Sequence, residues 1–204
     1  MTVNIICEYW DTKHTERQAE LDYCIFTNLH LPFARVMLAT LPGVVTPTWA
    51  CCEAEQATIQ DRSYATLFNL ASERFPGQIC CICNTDIYFK PELEAQLQAY
   101  DWDHQALALS RWDVVDMAKP EVPFRTGGSY DAYFFKAPML IPEATFTPGV
   151  LGCDSALAHL LAQQRKTLNP ADTIHACHLH ITNVRSYDGG FRLNLPYNVI
   201  VATR

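Results

Sequence analysis

Cys80-Cys81-Ile82-Cys83-Asn84-Thr85-Asp86-Ile87-Tyr88-Phe89 is an apolar, strand-like run that breaks into Asn-x-Asp. Small and β-branched residues carry the chain through a core, and two oxygen-bearing side chains then follow. Open α/β sheets bind their ligands at the C-terminal ends of strands. Asn84 and Asp86 are two residues apart and share a face if the strand runs on through them. An amide oxygen and a carboxylate suit a hard cation such as Mg²⁺ or Mn²⁺. Asn and Asp are also common turn formers, so a plain strand-to-turn exit accounts for the same spacing.

Working outward, Val3–Tyr9 predicts a first strand. Thr15-x-x-Gln18 reads as a capping box for a helix carrying Ala19, Leu21, Cys24, Ile25, Phe26 and Leu29, mostly on one stripe. Pro32 ends that helix, and Ala34–Ala39 predicts a second strand. The order β-α-β opens an α/β sheet. Residues 42–61 have no clear period, and a strand is expected around Thr48–Glu53. Ser63 caps a helix with Tyr64, Leu67, Phe68, Ala71 and Phe75 on one face, stopped by Pro76-Gly77. Beyond the central strand, Pro91 opens a short helix carrying Leu93, Leu97 and Tyr100. Gln105–Arg111 and Ala132–Phe135 predict strands, with a Gly127-Gly128 loop between them. Asp154 reads as the cap of a last helix. Ile174–His180 is strand-like, and Tyr197–Val201 predicts a closing strand. There is no repeat or linker. The expectation is α/β, one domain over residues 1–204, with an open, mixed, mostly parallel sheet and helices on both faces.

The 204 residues are enough for a sizeable core, and 49% hydrophobic with 18% charged residues are globular values. A net charge of −7 without a basic block disfavours nucleic-acid binding, which needs a positive face. A local basic pocket for one diphosphate stays compatible with that charge. The N-terminus lacks the basic region and apolar run of a signal peptide. No stretch approaches the roughly 18 apolar residues of a membrane span. The nine cysteines fall largely in apolar runs, which reads as reduced core thiols in a cytoplasmic protein. Cys51-Cys52 and Cys80-x-x-Cys83 do not make a zinc framework. Phosphate-loop, dinucleotide and serine-elbow motifs are missing from the sequence.

Three further clusters could carry chemistry. Gly128-Ser129-Tyr130-Asp131-Ala132 is either a Gly-rich turn or a carboxylate that holds a substrate hydroxyl. In Gly152-Cys153-Asp154-Ser155, Asp154 is a helix cap, a general base at the mouth of a site, or both on different oxygens. In His175-Ala176-Cys177-His178-Leu179-His180, a strand would turn His178 and His180 one way and His175 the other. Two same-face histidines with a carboxylate make a metal site, whereas Cys177 would face away from them. Arg62, Arg111, Arg125 and Arg185 could meet a phosphate. Arg62 lies just before a helix start, where free N–H groups also favour anions.

Taken in order, these segments resemble a family of small bacterial and viral glycosyltransferase-like proteins with the GT-A nucleotide-sugar-binding fold, related to the Rossmann fold. The resemblance runs through Glu8-Tyr9-Trp10, Glu16–Leu21, Arg62-Ser63-Tyr64, Asn84–Phe89, Ala108–Asp113, Gly128–Tyr133, Leu151–Ser155, Asn169-Pro170, and His178-Leu179-His180 leading to Arg185-Ser186-Tyr187. It implies a metal-dependent glycosyltransferase that moves a sugar from a nucleotide-diphospho-sugar donor to a hydroxyl acceptor such as a glycan, with Mn²⁺ or Mg²⁺ as cofactor. In such proteins an Asp-x-Asp meets metal and donor. Here Asn84 replaces the first Asp and Asp86 keeps the last, the usual metal contact. The implied donor contacts are Arg62, Asn84, Thr85, Asp86, Arg111 and Arg185, and the implied metal ligands Asp86, His178 and His180. Asp154 stands where the acceptor base falls, with Asp131 as a second catalytic carboxylate. Ser155 departs from the pattern, which has Asn there. The same groups would also serve a nucleotidyltransferase, a metal phosphohydrolase, or a degenerate domain that binds nucleotide-sugars without turnover.

Overall fold

The computed structural model describes residues 1–124, 128–182, 184 and 192–203, apart from the side chains of Cys51 and Cys52. Arg125, Gly127 and Arg185-Ser186-Tyr187 therefore lie outside the described residues. The elements are, in chain order, Val3–Glu8 (β1), Thr15–Leu29 (α1), Ala34–Thr40 (β2), Thr48–Glu53 (α2), Glu55–Thr58 (β3), Tyr64–Arg74 (α3), Ile79–Cys83 (β4) and Ile87–Tyr88 (β5). Leu93–Leu97 (α4), Gln105–Leu109 (β6), Arg111–Val114 (β7), Val122–Pro123 (β8), Ala132–Lys136 (β9), Cys153–Gln164 (α5), Lys166–Leu168 (β10) and Ala176–Leu179 (β11) follow.

The main sheet has seven strands in the order β10-β6-β9-β4-β1-β2-β3. Only β9 is antiparallel to its neighbours in it. A smaller sheet, β5-β11-β7-β8, stands beside it. Side chains alternate across the main sheet as the two-residue strand period requires. Cys80 and Ile82 of β4 join Tyr133 and Phe135 of β9 in a core closed by α3 and α5. Ile79, Cys81 and Cys83 join Ala132 and Phe134 in a second core on the opposite face, where Ile25 of α1 packs. The seven cysteines with described side chains are free and buried. Cys7 of β1 and Cys83 of β4 are paired in the parallel ladder, with their sulfurs 3.5 Å apart.

Several local expectations change. Residues 48–53 are helical, because Pro47 precedes a turn closed by Ala54 N–H on the Ala50 carbonyl and Trp49 packs edge-on against Phe26. The strand is Glu55–Thr58, one residue further on. His14, not Thr15, sits at the start of α1 and makes no side-chain cap; Gln18 instead bonds Tyr9 Oη at 2.7 Å. The strand expected over Gln105–Arg111 ends at Leu109, and Arg111 opens a second strand that runs to Val114. The chain breaks at Ser110, whose N–H donates to Asn169 Oδ1 at 3.1 Å, so β6 and β7 enter different sheets. Residues 197–201 form no strand. That tail is strapped by single bonds, with Asn198 N–H on Ser155 O and Ile200 N–H on Tyr130 Oη.

The sheet order locates the site. The chain runs outward from β1 to β2 and β3, then returns to the other side of β1 as β4. Adjacent strands whose connections leave in opposite directions open a crevice at their C-terminal ends. Glu8 ends β1 and Asn84–Asp86 follow β4 at that point.

Candidate active site

A cavity of about 820 Å³ opens at this crevice. Its lining includes Glu8, Arg17, Arg62, Asn84, Thr85, Asp86, Arg111, Asp131, Asp154, His178 and His180. The strand does not run on through Asn84. It ends at Cys83, and Ile87 N–H donates to Asn84 O at 3.1 Å to close a turn. The turn sends the two side chains to different partners. Asn84 Nδ2 donates to Asp131 Oδ1 at 2.7 Å, while Asp86 faces the smaller sheet. Thr85 is buried and gives its hydroxyl proton to the Glu8 carbonyl, which fastens the turn to β1.

Asp86 is 6% exposed. Its Oδ2 meets the Arg17 guanidinium and His178 Nε2, the latter at 3.1 Å. Its Oδ1 is buried and has no hydrogen-bond partner among the described residues. Burial pushes the Asp86 carboxyl up, but the charges of His178 and Arg17 overcome that and hold it well below the usual carboxylate range. Burial pulls the His178 imidazole down; Asp86 on one side and Asp113, 2.9 Å from Nδ1, on the other reverse this and raise it to about 9. His180 lies beside it, ring centroids 5.4 Å apart, and burial together with the Arg17 charge lowers its pKa. One donor atom from each of Asp86, His178 and His180 lies within 4.8 Å of the others. A buried carboxylate oxygen without a partner among the described residues, next to two imidazoles, fits a divalent cation that accepts mixed O and N donors, provided that His178 gives up its Nε2 proton as the cation binds.

The opposite wall carries Asp131 and Asp154. Asp131 is 4% exposed, and its Oδ2 lies 3.5 Å from Arg111 Nη1. Arg111 also donates through Nε to Asp113 at 2.8 Å and lies over the Phe124 ring. Burial raises the Asp131 carboxyl in spite of Arg111. Asp154 is in the first turn of α5, one residue inside the helix; Gly152 (φ 86°) is the residue before the helix starts. Its carboxylate therefore caps nothing. Among the described residues it accepts from Cys153 Sγ at 3.1 Å and Ser129 Oγ at 3.4 Å. Burial, then the nearby Asp131 charge, push it up to about 7. Ser155 donates to Gly128 O at 2.6 Å and so ties α5 to the loop bearing Asp131.

Arg62 reaches the cavity and pairs with the buried Glu8 carboxylate. The α3 start beside it offers no free N–H groups for an anion. Tyr64 and Ala65 donate to the Phe146 and Ala144 carbonyls, and Ser63 Oγ accepts from Thr66 N–H. His175 lies away from the cavity, stacked on Trp112 and bonded to Glu121.

Arg17 and Glu20 fall in the Glu16–Leu21 segment of the resemblance, but neither is among the site residues expected from the sequence. Both are buried, and they pair at 2.8 Å. With them, charges alternate around the site from Glu20 through Arg17, Asp86, His178, Asp113 and Arg111 to Asp131. A signal was present: Arg17, Glu20, Leu21, Cys24, Ile25 and Asn28 are the buried positions of α1, so the inward stripe at helical spacing begins with two charges.

No protein-family model matches the chain, and neither does any curated protein sequence. Solved structures do. The mannosyltransferase PcManGT of Pyrobaculum calidifontis, in complex with GDP-Man and Mn²⁺, superposes with a TM-score of 0.56 at 14% identity over 91% of this chain and 58% of its own. Staphylococcus aureus TarS 1-349 in complex with UDP-GlcNAc gives 0.53 at 10% identity over 100% of this chain and 59% of its own. The chain thus spans under two thirds of the length of these structures. At such identities the likeness is one of fold, and that fold is the GT-A type of nucleotide-sugar glycosyltransferases expected from the motif order. No helix among the described residues is long and apolar enough to cross a membrane.

Proposed function

We propose that this chain is a metal-dependent glycosyltransferase that moves a sugar from a nucleotide-diphospho-sugar to a hydroxyl acceptor. The observation that carries this reading is a single cavity at the switch point with an unpartnered Asp86 oxygen and two imidazoles on one wall and Asp154 on the other. Two structures of the same fold hold GDP-Man with Mn²⁺ and UDP-GlcNAc, which supports the donor class. Asp86, His178 and His180 would hold a divalent cation, which supplies Lewis-acid stabilisation for a diphosphate leaving group. Arg111 and Arg62 bring further positive charge to the same cavity, where low dielectric strengthens it. Asn84 and Thr85 set the turn that aims Asp86, and Arg185 follows in the chain after this wall.

A carboxyl with a pKa of about 7 is partly ionised at neutral pH and matched to the task of a general base. Asp154 takes the proton of the acceptor hydroxyl as that oxygen attacks the anomeric carbon. The bond to the donor phosphate breaks, and the nucleoside diphosphate departs with the electron pair. Direct attack of this kind inverts the anomeric configuration. Asp131 keeps Arg111 and Asn84 in place and holds its charge close to Asp154. A cytoplasmic site of action agrees with the free, buried thiols.

The test is a thermal-shift screen of nucleotide-sugars and nucleoside diphosphates with and without Mn²⁺. A donor that raises the melting temperature only with the metal, and fails to do so with Asp86→Ala, is the expected result. No shift with any common nucleotide would overturn the reading. Release of free phosphate or pyrophosphate without sugar transfer would move it to a phosphohydrolase or nucleotidyltransferase.

A further inference from the structure

The Asp86 carboxylate that would receive a cation already bonds two positive groups: His178, which can yield its proton to a metal, and Arg17, which cannot. Arg17 is 5% exposed and reaches the cavity from α1. Its Nη1 donates to Glu20 Oε2 at 2.8 Å and to the Leu179 carbonyl at 3.0 Å, and its Nη2 donates to Asp86 Oδ2. Glu20 is itself fastened, because its carboxylate accepts Thr182 N–H at 2.7 Å and Thr182 Oγ1 at 2.9 Å. The guanidinium is therefore anchored on the backbone between the two histidines and cannot swing out without breaking several buried bonds.

We propose that Arg17 makes cation binding at Asp86 conditional on a diphosphate: it repels a lone divalent ion and attracts the ion–diphosphate pair. The inference rests on the function proposed above and concerns the order and coupling of binding at that site. Two positive groups on one buried carboxylate repel each other, and the low dielectric leaves little screening between them. A diphosphate reverses the balance, since its oxygens can face the cation and the guanidinium together. Arg17 is then a positioning residue with an electrostatic gate function. The alternative is a staple that merely joins α1 to the loop after β11.

The two roles predict opposite signs. If Arg17 is a staple, Arg17→Met loosens the ligands and weakens Mn²⁺ binding. If it is a gate, Arg17→Met binds Mn²⁺ alone more tightly than the wild type. Mn²⁺ affinity would be read from the electron paramagnetic resonance of the free ion, with and without UDP or GDP, for the wild type, Arg17→Met and Arg17→Lys. In the wild type, one of the two nucleotides should tighten Mn²⁺ by about tenfold or more, a coupling within the usual range between two sites. Arg17→Met should gain about tenfold for the lone ion and lose most of the coupling, while Arg17→Lys keeps the wild-type pattern. Lone-ion affinity that is unchanged or weaker in folded Arg17→Met overturns the proposal. If that variant does not fold, the wild type decides: equal Mn²⁺ affinity with and without both nucleotides also overturns it. Mn²⁺ binding that is present but uncoupled removes the gate alone, whereas no Mn²⁺ binding under any condition removes the metal-dependent function with it.

Discussion

Asp154 is where ionisation meets chemistry. Its pKa of about 7 predicts an acid limb in kcat/KM that rises with pH through that value, because only the carboxylate accepts the acceptor proton. Asp154→Asn should lower kcat by about 10²–10⁴-fold and abolish the limb. A pH–rate profile of both proteins checks this; a variant that keeps the limb would assign the base elsewhere. Asp86 makes a different prediction. Substitution by Asn leaves the Arg17 and His178 charges buried without their shared partner. Breaking a buried pair in this way costs about 3–5 kcal/mol. Urea denaturation of Asp86→Asn should register that loss in metal-free protein, while a surface control such as Asp116→Asn stays near wild type. Asp86 was legible in the sequence because a carboxylate just past a buried strand is conspicuous. Arg17 was not, since an arginine on a helix reads as a solvated residue until its place on the inward stripe is noticed.

Elements bring these residues together through a few tight contacts. Ser155 and Gly128 form one, joining α5 to the loop that leads into Asp131 and β9. Gly128 has φ +88°, and a Cβ built there would stand 2.8 Å from Ser155 Oγ. Gly128→Ala thus meets both a left-handed backbone and a clash, and should destabilise by about 1–3 kcal/mol. In a Ser155→Ala background the oxygen is gone, so the same change should cost less, and the double-mutant cycle should give a non-zero coupling. Additive losses would mean that the backbone conformation alone sets the penalty. The elements most legible in sequence, β4, β9 and α3, are those whose apolar period is unbroken and whose ends carry Pro-Gly or Ser signals. The break at Ser110 was hidden because its cause, Asn169, is 59 residues away. The tail's straps likewise come from Tyr130 and Ser155, which no local pattern in residues 192–203 announces.

At the scale of the whole molecule, the fold gathers acidic groups from distant segments into one cavity, and this must appear in its stability. The α/β order was readable from alternating strand and helix patterns. The second sheet was not, because β5 and β8 are two residues each and gain their identity from partners. Asp154 shows the consequence. Its folded pKa is raised from 3.8 to about 7 by burial and then by Asp131, with Arg111 and the Cys153 thiol acting in the opposite sense. The folded state therefore holds this proton more tightly than the unfolded chain. Stability from that proton is fully present below the unfolded value, declines as pH rises, and is lost once pH passes the folded value. Asp154→Asn keeps a neutral side chain of the same shape at every pH. Its melting temperature should match the wild type near pH 4 and exceed it by a growing margin between pH 4 and 8, levelling above about 7, where the wild-type group is ionised. Thermal melts of both proteins across that range, without metal or nucleotide, measure the difference directly. A variant less stable than the wild type at pH 8 would mean that the ionised carboxylate contributes to folding, and that the raised pKa on which its role as a base depends is absent.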